Sequence, residues 1–429
     1  MARTRVVCSV LVCLGLAWAP ARAWAQTGAA PGEVDETEVS RAAEAEALRR
    51  AKAAALEPYR PVLAESVLLY IEDTRLVGRV FDPVEGWFAQ VGGLSEGAGV
   101  AGGGGYRTRV GRAGAADARG LVSWNGAFLA GARWRSTPLA HDRFRLGAET
   151  AIERHTDQEF FGLGPHATQR FDSDYELDER RATMMVDVRV ARWMTVGAAG
   201  GYTAFRLHDL SFDFDDEDDE LDFDRGRDDP QVRQYLDGAI PGLDTRPTLA
   251  DVEASIVIDT RSLLTAAGAR VAVRHGWHHD VGATRHTFQS TQVDVQQFLP
   301  FWNGTRTLAL AVAAERVEPA GGHAVPFYLQ PALGGSRRLR GFDRQRFRDT
   351  SALVLQAEYR YDINPFVAGV LFVETGQVAP DWSRLRVRGF RGDYGVGIRF
   401  GYGGTVAVRS DVAFGGEGPR LVIALSGVF

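Results

Sequence analysis

Apolar and polar residues alternate with period two along most of this chain. From about residue 98 onward the alternation comes in segments separated by turn residues, with no amphipathic helical pattern among them. Near the C-terminus Tyr394, Val396, Ile398, Phe400 and Tyr402 share one face of a strand, and Asp393, Gly395, Gly397, Arg399 and Gly401 share the other. In the next strand Val406, Val408 and Val412 oppose Thr405, Ala407, Arg409 and Asp411; in the last, Leu421, Ile423, Leu425 and Phe429 oppose Arg420, Val422, Ala424 and Ser426. The pattern predicts strands at 98–109, 119–135, 143–154, 179–192, 194–206, 248–259, 268–277, 284–297, 305–317, 350–361, 364–376, 391–402, 404–413 and 419–429, with one or two more between 65 and 95.

One face of these strands is large and apolar; the other carries Gly, Ala, Gln and full charges. A soluble sandwich also alternates, but its apolar face must pack on a second sheet. Lipid outside and a polar lumen inside explain both the length of the segments and the Arg and Asp on the small-residue face. Aromatic residues fall at strand ends (Trp193, Phe298, Phe301, Trp302, Tyr359, Tyr361, Tyr402 and Phe429), as interface girdles do. The connections mostly alternate between long (155–178, 207–247, 318–349, 377–390) and short (192–194, 260–267, 298–304, 362–363, 403), as extracellular loops and periplasmic turns do. The expected fold is all-β, a transmembrane antiparallel β-barrel occupying 65–429, with residues 318–349 as a loop inside the lumen.

The N-terminus stands apart from this pattern. Arg3 and Arg5 precede the apolar stretch Val6 to Trp18, and Ala23-Trp24-Ala25 forms a cleavage site before Gln26, so 1–25 reads as a secretory signal peptide. Both cysteines, Cys8 and Cys13, lie within it, which leaves the remainder without disulfides or thiol chemistry. Removing its three arginines takes the net charge from −6 to −9, which gives no general attraction to nucleic acid. Residues 26–64 are rich in Ala and Glu and are expected to be a helical or disordered periplasmic tether. Mean hydropathy is −0.16, and beyond the first 25 residues no run of 18 apolar residues occurs, which excludes a helical membrane protein but not a barrel.

Several motifs fail their context. Gly93-Leu94-Ser95-Glu96-Gly97 fits a nucleophile elbow, yet more glycine and another strand follow it where a helix is required. Gly97 to Gly102 fits a dinucleotide fingerprint, but no helix N-terminus follows to hold a phosphate. Nine acids crowd residues 213–224 without the glycine-turned order of a calcium loop; a solvated extracellular loop is the expectation. The nine histidines show no metal-ligand spacing, and no metal or cofactor is expected. An outer-membrane enzyme would need a Ser/His/acid cluster near one rim, and the linear sequence assembles none.

The last hundred residues carry a more specific constellation. Gly334 to Phe342, containing Leu339-Arg340-Gly341-Phe342, sits in a long loop; Gln356-Ala357-Glu358-Tyr359-Arg360 follows in a strand; Phe372-Val373-Glu374-Thr375-Gly376 ends the next; Arg409-Ser410-Asp411 lies near the end. This order resembles the outer-membrane assembly and translocation barrels of the BamA/TamA surface-antigen superfamily. Their hallmarks are a [VL]-R-G-[FY] loop folded into the lumen and an F-x-D-x-G strand whose acid binds the loop arginine. Leu339 to Phe342 matches the first, and Phe372 to Gly376 the second, with Glu374 where Asp is usual. The likeness continues more loosely to about residue 85, through Phe160-Phe161-Gly162-Leu163-Gly164 and Asp259-Thr260-Arg261.

The resemblance implies about sixteen strands, a bacterial outer-membrane location and no enzymatic activity. It also implies a role in membrane-protein insertion or polypeptide or lipid translocation, with outer-membrane lipids and client polypeptides as partners. A passive porin-like channel for small polar solutes is the alternative. The family's periplasmic POTRA domains find no counterpart between Gln26 and about residue 85, which resembles a POTRA-less branch. Strand parity independently places Glu358, Phe372 and Glu374 toward the lumen, where two carboxylates would call for a cation, and Arg340 is suited to forked pairing. Phe429, by the same resemblance, is part of a C-terminal assembly signal.

Overall fold

The computed structural model describes residues 80–429 except 96, 168, 170–172, 213–239, 262–266, 283, 303, 365, 403–404 and 426–429, together with residues 43, 46, 47 and 50. The signal peptide, most of the tether, the acidic loop 213–224 and Phe429 lie outside the described residues.

Sixteen strands form one antiparallel sheet in which each pairs with its neighbour in chain order. They are β1 (Gly86–Gly92), β2 (Ala101–Val110), β3 (Gly114–Ser123), β4 (Phe128–Ser136), β5 (Phe144–Phe160), β6 (Ser173–Ala191), β7 (Met194–Phe212), β8 (Thr248–Asp259), β9 (Gly268–Asp280), β10 (Phe288–Phe301) and β11 (Arg306–Pro319), followed by β14 (Ser351–Asn364), β15 (Val367–Ala379), β16 (Arg391–Tyr402), β17 (Thr405–Gly415) and β18 (Gly418–Ala424). Between β11 and β14 the chain makes a two-stranded ribbon of its own, β12 (Ala332–Leu333) with β13 (Phe347–Arg348).

The two faces differ as the alternation requires. On β15, Leu371 and Val373 are 54% and 55% exposed, whereas Phe372 and Glu374 between and beside them are 5% and 1% exposed. Such bare aliphatic side chains recur on every part of the sheet, which suits lipid contact. The buried charges sit on the opposite face.

That inner face closes around the β11–β14 loop. Arg338 pairs with Glu315 of β11 at 2.6 Å, Arg344 with Glu159 of β5 at 2.5 Å, and Arg346 with Glu417, beyond β17, at 2.7 Å. The Gly164 N–H donates to the Arg348 carbonyl at 2.7 Å, and Phe160 packs on Phe327 of the loop with ring centroids 4.6 Å apart. One loop touching β5, fifth in the sheet order, and the turn between β17 and β18 at its far end requires the sheet to be curled around it.

Several sequence expectations need correction. The segment 119–135 is two strands, because Asn125-Gly126 makes a tight turn: Gly126 has φ +87°, and the Ser123 N–H donates to the Ala127 carbonyl at 2.8 Å. β1 falls in the 65–95 window where one or two further strands are expected, and the total of sixteen is the number the resemblance implies. Much of 155–178, expected as loop, is strand. A register shift between His155 and Gln158 lets β5 continue to Phe160, and Arg154 pairs with Asp178 across the two strands at 2.7 Å. Residues 207–212, also expected as loop, prolong β7. Phe298 is not a girdle residue: it is buried, with the Arg261 and Arg360 guanidinium groups 5.9 and 5.6 Å from its ring.

β1 and β18 are seven residues each, the shortest strands of the main sheet, and among the described residues they are not hydrogen-bonded to one another. The remaining ladder is continuous, so the folded protein should resist SDS at room temperature. Unboiled and boiled samples are expected to migrate differently on gels, with a β-rich circular-dichroism spectrum before boiling. A helical spectrum or identical mobilities would contradict this architecture.

Candidate functional site

The loop arginine Arg340 is completely buried against the inner face of β14–β17. Its backbone N–H and Nε donate to Glu374 Oε2 and Oε1 at 2.9 and 3.0 Å. Nη1 donates to Asp411 Oδ2 at 2.9 Å and lies 3.1 Å from Glu358 Oε1. Nη2 is 2.8 Å from Glu374 Oε1 but off the hydrogen-bond line, so that contact is ionic rather than a second aligned bond. The guanidinium carbon sits 3.4 Å from the centroid of the Phe372 ring, a close cation–π stack. One side chain thus engages three strands through carboxylates and uses an aromatic face as its floor.

The acids are themselves held. Glu358 accepts from Arg360 Nε at 2.8 Å and from Arg399 Nη2 at 3.2 Å. Asp411 accepts from Arg409 Nη1 at 2.8 Å and from Arg399. Gln356 donates to Glu374 Oε1 at 2.7 Å and, from the same nitrogen, to the Arg337 carbonyl at 2.8 Å. Asp393 Oδ2 accepts the Gly341 N–H at 2.7 Å, while its Oδ1 has no hydrogen-bond partner. Four arginines (340, 360, 399, 409) therefore face four acids (358, 374, 393, 411), and the buried network is formally neutral. Neutrality matters because each ion loses several kcal/mol of hydration on burial, which only close opposite charges offset.

The backbone at the motif fits this packing. A Cβ on Gly341 would lie 2.7 Å from Asp393 Cβ and from the Gly415 nitrogen, so only glycine lets the loop lie on β16 and β17. Phe342 is buried against Phe347, ring centroids 5.3 Å apart, in a cluster with Leu333, Leu339 and Val354. Gly376 makes room for the same cluster, since a Cβ there would come 3.0 Å from Leu333 Cδ1.

The structure therefore brings Leu339, Arg340, Gly341, Phe342, Glu358, Phe372, Glu374 and Gly376 to one place. The sequence reading assigned the arginine to Glu358 and Glu374 alone and did not assign anchoring roles to Asp393, Asp411, Arg399 and Arg409. Their signal was present: all four occupy the small, polar face of two otherwise apolar strands. Among the described residues no cluster of His, Cys, Asp and Glu is placed to hold a metal ion.

These features define a transmembrane β-barrel whose lumen is occupied by a clamped loop. The model of the Omp85 superfamily domain matches residues 139–417, and the chain belongs to that superfamily. Among solved structures it is similar to BamA from Haemophilus ducreyi lacking POTRA domains 1–3, at 14% identity and a TM-score of 0.57, over 79% of this chain and 70% of that one. It is also similar to CdiB from Escherichia coli, at 12% identity and a TM-score of 0.50, over 80% of this chain and 63% of that one. CdiB from Acinetobacter baumannii aligns at 11% identity and a TM-score of 0.46, over 80% of this chain and 59% of that one. No curated protein matches the sequence.

Proposed function

We propose that this protein resides in the bacterial outer membrane and inserts or translocates polypeptides, with lipid as the second candidate cargo, at the seam between β1 and β18. The observation that carries the reading is the seam itself: two seven-residue strands, unpaired with each other among the described residues, end a sheet whose other strands are longer and fully laddered. Unsatisfied strand edges are templates for an incoming strand, so a client can add to the sheet by backbone pairing. The clamped loop supports the same reading. It packs buried aromatic and charged side chains against the lumen wall, which a plain porin lumen does not need, so the porin-like alternative has no observation in its favour. Superfamily membership favours assembly or translocation over enzymatic work as the main role.

The test locks the seam. Gln90→Cys on β1 is combined in turn with Arg420→Cys, Val422→Cys or Ala424→Cys on β18, in a chain whose own cysteines lie only at positions 8 and 13. Where a disulfide forms, cells depending on the locked protein should lose several unrelated outer-membrane or secreted polypeptides, and reductant should restore them. An unchanged inventory with the seam locked would overturn the seam route; loss of a single solute's uptake would establish a channel instead.

A further inference from the structure

The inner face of β8–β10 carries a second constellation that the Arg340 clamp does not use. Asp251 Oδ1 lies 2.7 Å from His278 Nδ1, and Ser290 Oγ lies 2.9 Å from His278 Nε2. The carboxylate can only accept, so Nδ1 carries the ring proton, and in the neutral ring Nε2 accepts from the serine hydroxyl. Thr203 Oγ1 donates to the other Asp251 oxygen at 2.6 Å, and the imidazole stacks on Phe288, centroids 4.5 Å apart at 21°. Acid to Nδ1 and hydroxyl to Nε2 is the order that makes a serine nucleophilic, and it recurs on unrelated folds.

Sheet register builds the surroundings. His278 stands opposite Asp251 on one side and Phe288 on the other; Gly276, one rung below, stands between Glu253 and Ser290. A Cβ on Gly276 would lie 2.7 Å from both Ser290 Oγ and His278 Nε2, so only glycine lets the serine hydroxyl and the imidazole meet across this rung. On the next rung Arg274 faces Gln292, and both are exposed. Their guanidinium and amide put hydrogen-bond donors on the rung next to Ser290. Asp251 and His278 keep 23% and 20% side-chain exposure, which leaves the pair open to the lumen.

We propose that Ser290, His278 and Asp251 form an acyl-transfer centre in the barrel wall that hydrolyses small carboxylic esters reaching it through the lumen. Ser290 Oγ adds to the ester carbonyl carbon while His278 Nε2 takes the hydroxyl proton. The oxyanion develops toward Arg274 and Gln292. Collapse breaks the carbonyl–alkoxy bond, and the alcohol leaves with the proton returned from Nε2. Water, deprotonated by Nε2, then cleaves the acyl-serine, releasing the carboxylic acid and restoring the hydroxyl. Asp251 is a positioning residue: it fixes the tautomer and balances the imidazolium. Asp251 and Glu253 repel anionic esters, so uncharged and cationic ones are the expected class. The centre is independent of the seam and of the clamp, and its failure would leave the proposed translocation role untouched.

The test uses the full-length protein in detergent micelles, with heat-modifiable mobility checking that each variant is folded. A fluorophosphonate probe followed by peptide mass spectrometry should place one adduct on Ser290, absent from Ser290→Ala and formed at least ~100-fold more slowly in His278→Gln. With p-nitrophenyl acetate, Asp251→Asn should lower kcat by about 10²–10⁴-fold with KM unchanged, and Asp251→Glu should recover part of it. A wild-type protein that takes no label at Ser290, or a folded His278→Gln protein labelled at the wild-type rate, would reduce the triad to a hydrogen-bonded strut of the wall and overturn the proposal.

Discussion

Replacing Arg340 by alanine is expected to destabilise the barrel by about 3–5 kcal/mol, the range for stripping one partner from a buried ion cluster. Arg340 is fully buried and contacts Glu374, Glu358 and Asp411 at 2.8 to 3.1 Å. Its loss leaves four acids facing three arginines in a site with little water, and the freed carboxylates then repel. Glu374→Ala alone should also be costly, because Arg340 loses its backbone acceptor together with its Nε acceptor. Removing both restores the balance of charge. The double mutant should therefore cost less than the sum of the single changes, by roughly 0.5–3 kcal/mol of coupling. Urea unfolding of the four proteins in lipid vesicles measures the cycle. Arg340→Lys tests geometry separately from charge: a point ammonium cannot reproduce the fork across Glu374 and Asp411 or the stack on Phe372, so most of the loss should remain. Strictly additive single effects would show that the clamp carries no pairwise energy.

The second large effect is steric. Gly341→Val places atoms 2.7 Å from Asp393 Cβ and from the Gly415 nitrogen, and the Gly415 contact is strand backbone that cannot turn aside. The loop must then lift from β16 and β17, taking Arg340 off Glu374. Overpacking of this kind costs about 1–3 kcal/mol, and the lost ion pairs add to it. Gly415→Ala makes the same collision from the strand side, its Cβ falling 2.8 Å from the Gly341 carbonyl carbon. Both variants should raise single-channel conductance in planar bilayers, because the loop occupies the lumen. Gly120→Ala, whose Cβ meets nothing closer than 3.9 Å, should leave stability and conductance at wild-type levels. Equal conductance in all four proteins would mean that the loop stays in the lumen without its contact to β16 and β17.

The sequence by itself determined which side of each strand faces lipid. Side chains alternate strictly with period two, so Leu371 and Val373 cannot share a face with Phe372 and Glu374 whatever the fold around them. It also marked Arg340, Gly341 and Glu374 as unusual, through residue types whose chemistry does not suit an ordinary loop or an ordinary strand. Periodicity says nothing about height, however. Whether Asp411 meets Arg340 depends on the offset between neighbouring strands, which turns and register shifts set, such as the one between Phe400 and Gly401. The same limit hid Asp251, His278 and Ser290, which lie on three strands and meet only because β8, β9 and β10 pair in one register. It also merged β3 with β4, since the outward-facing even-numbered positions of β3 keep the same parity beyond the Asn125-Gly126 turn in β4. Only the tertiary structure decided how far the strands extend and which acids the loop arginine finds, because both depend on contacts between residues far apart in the chain.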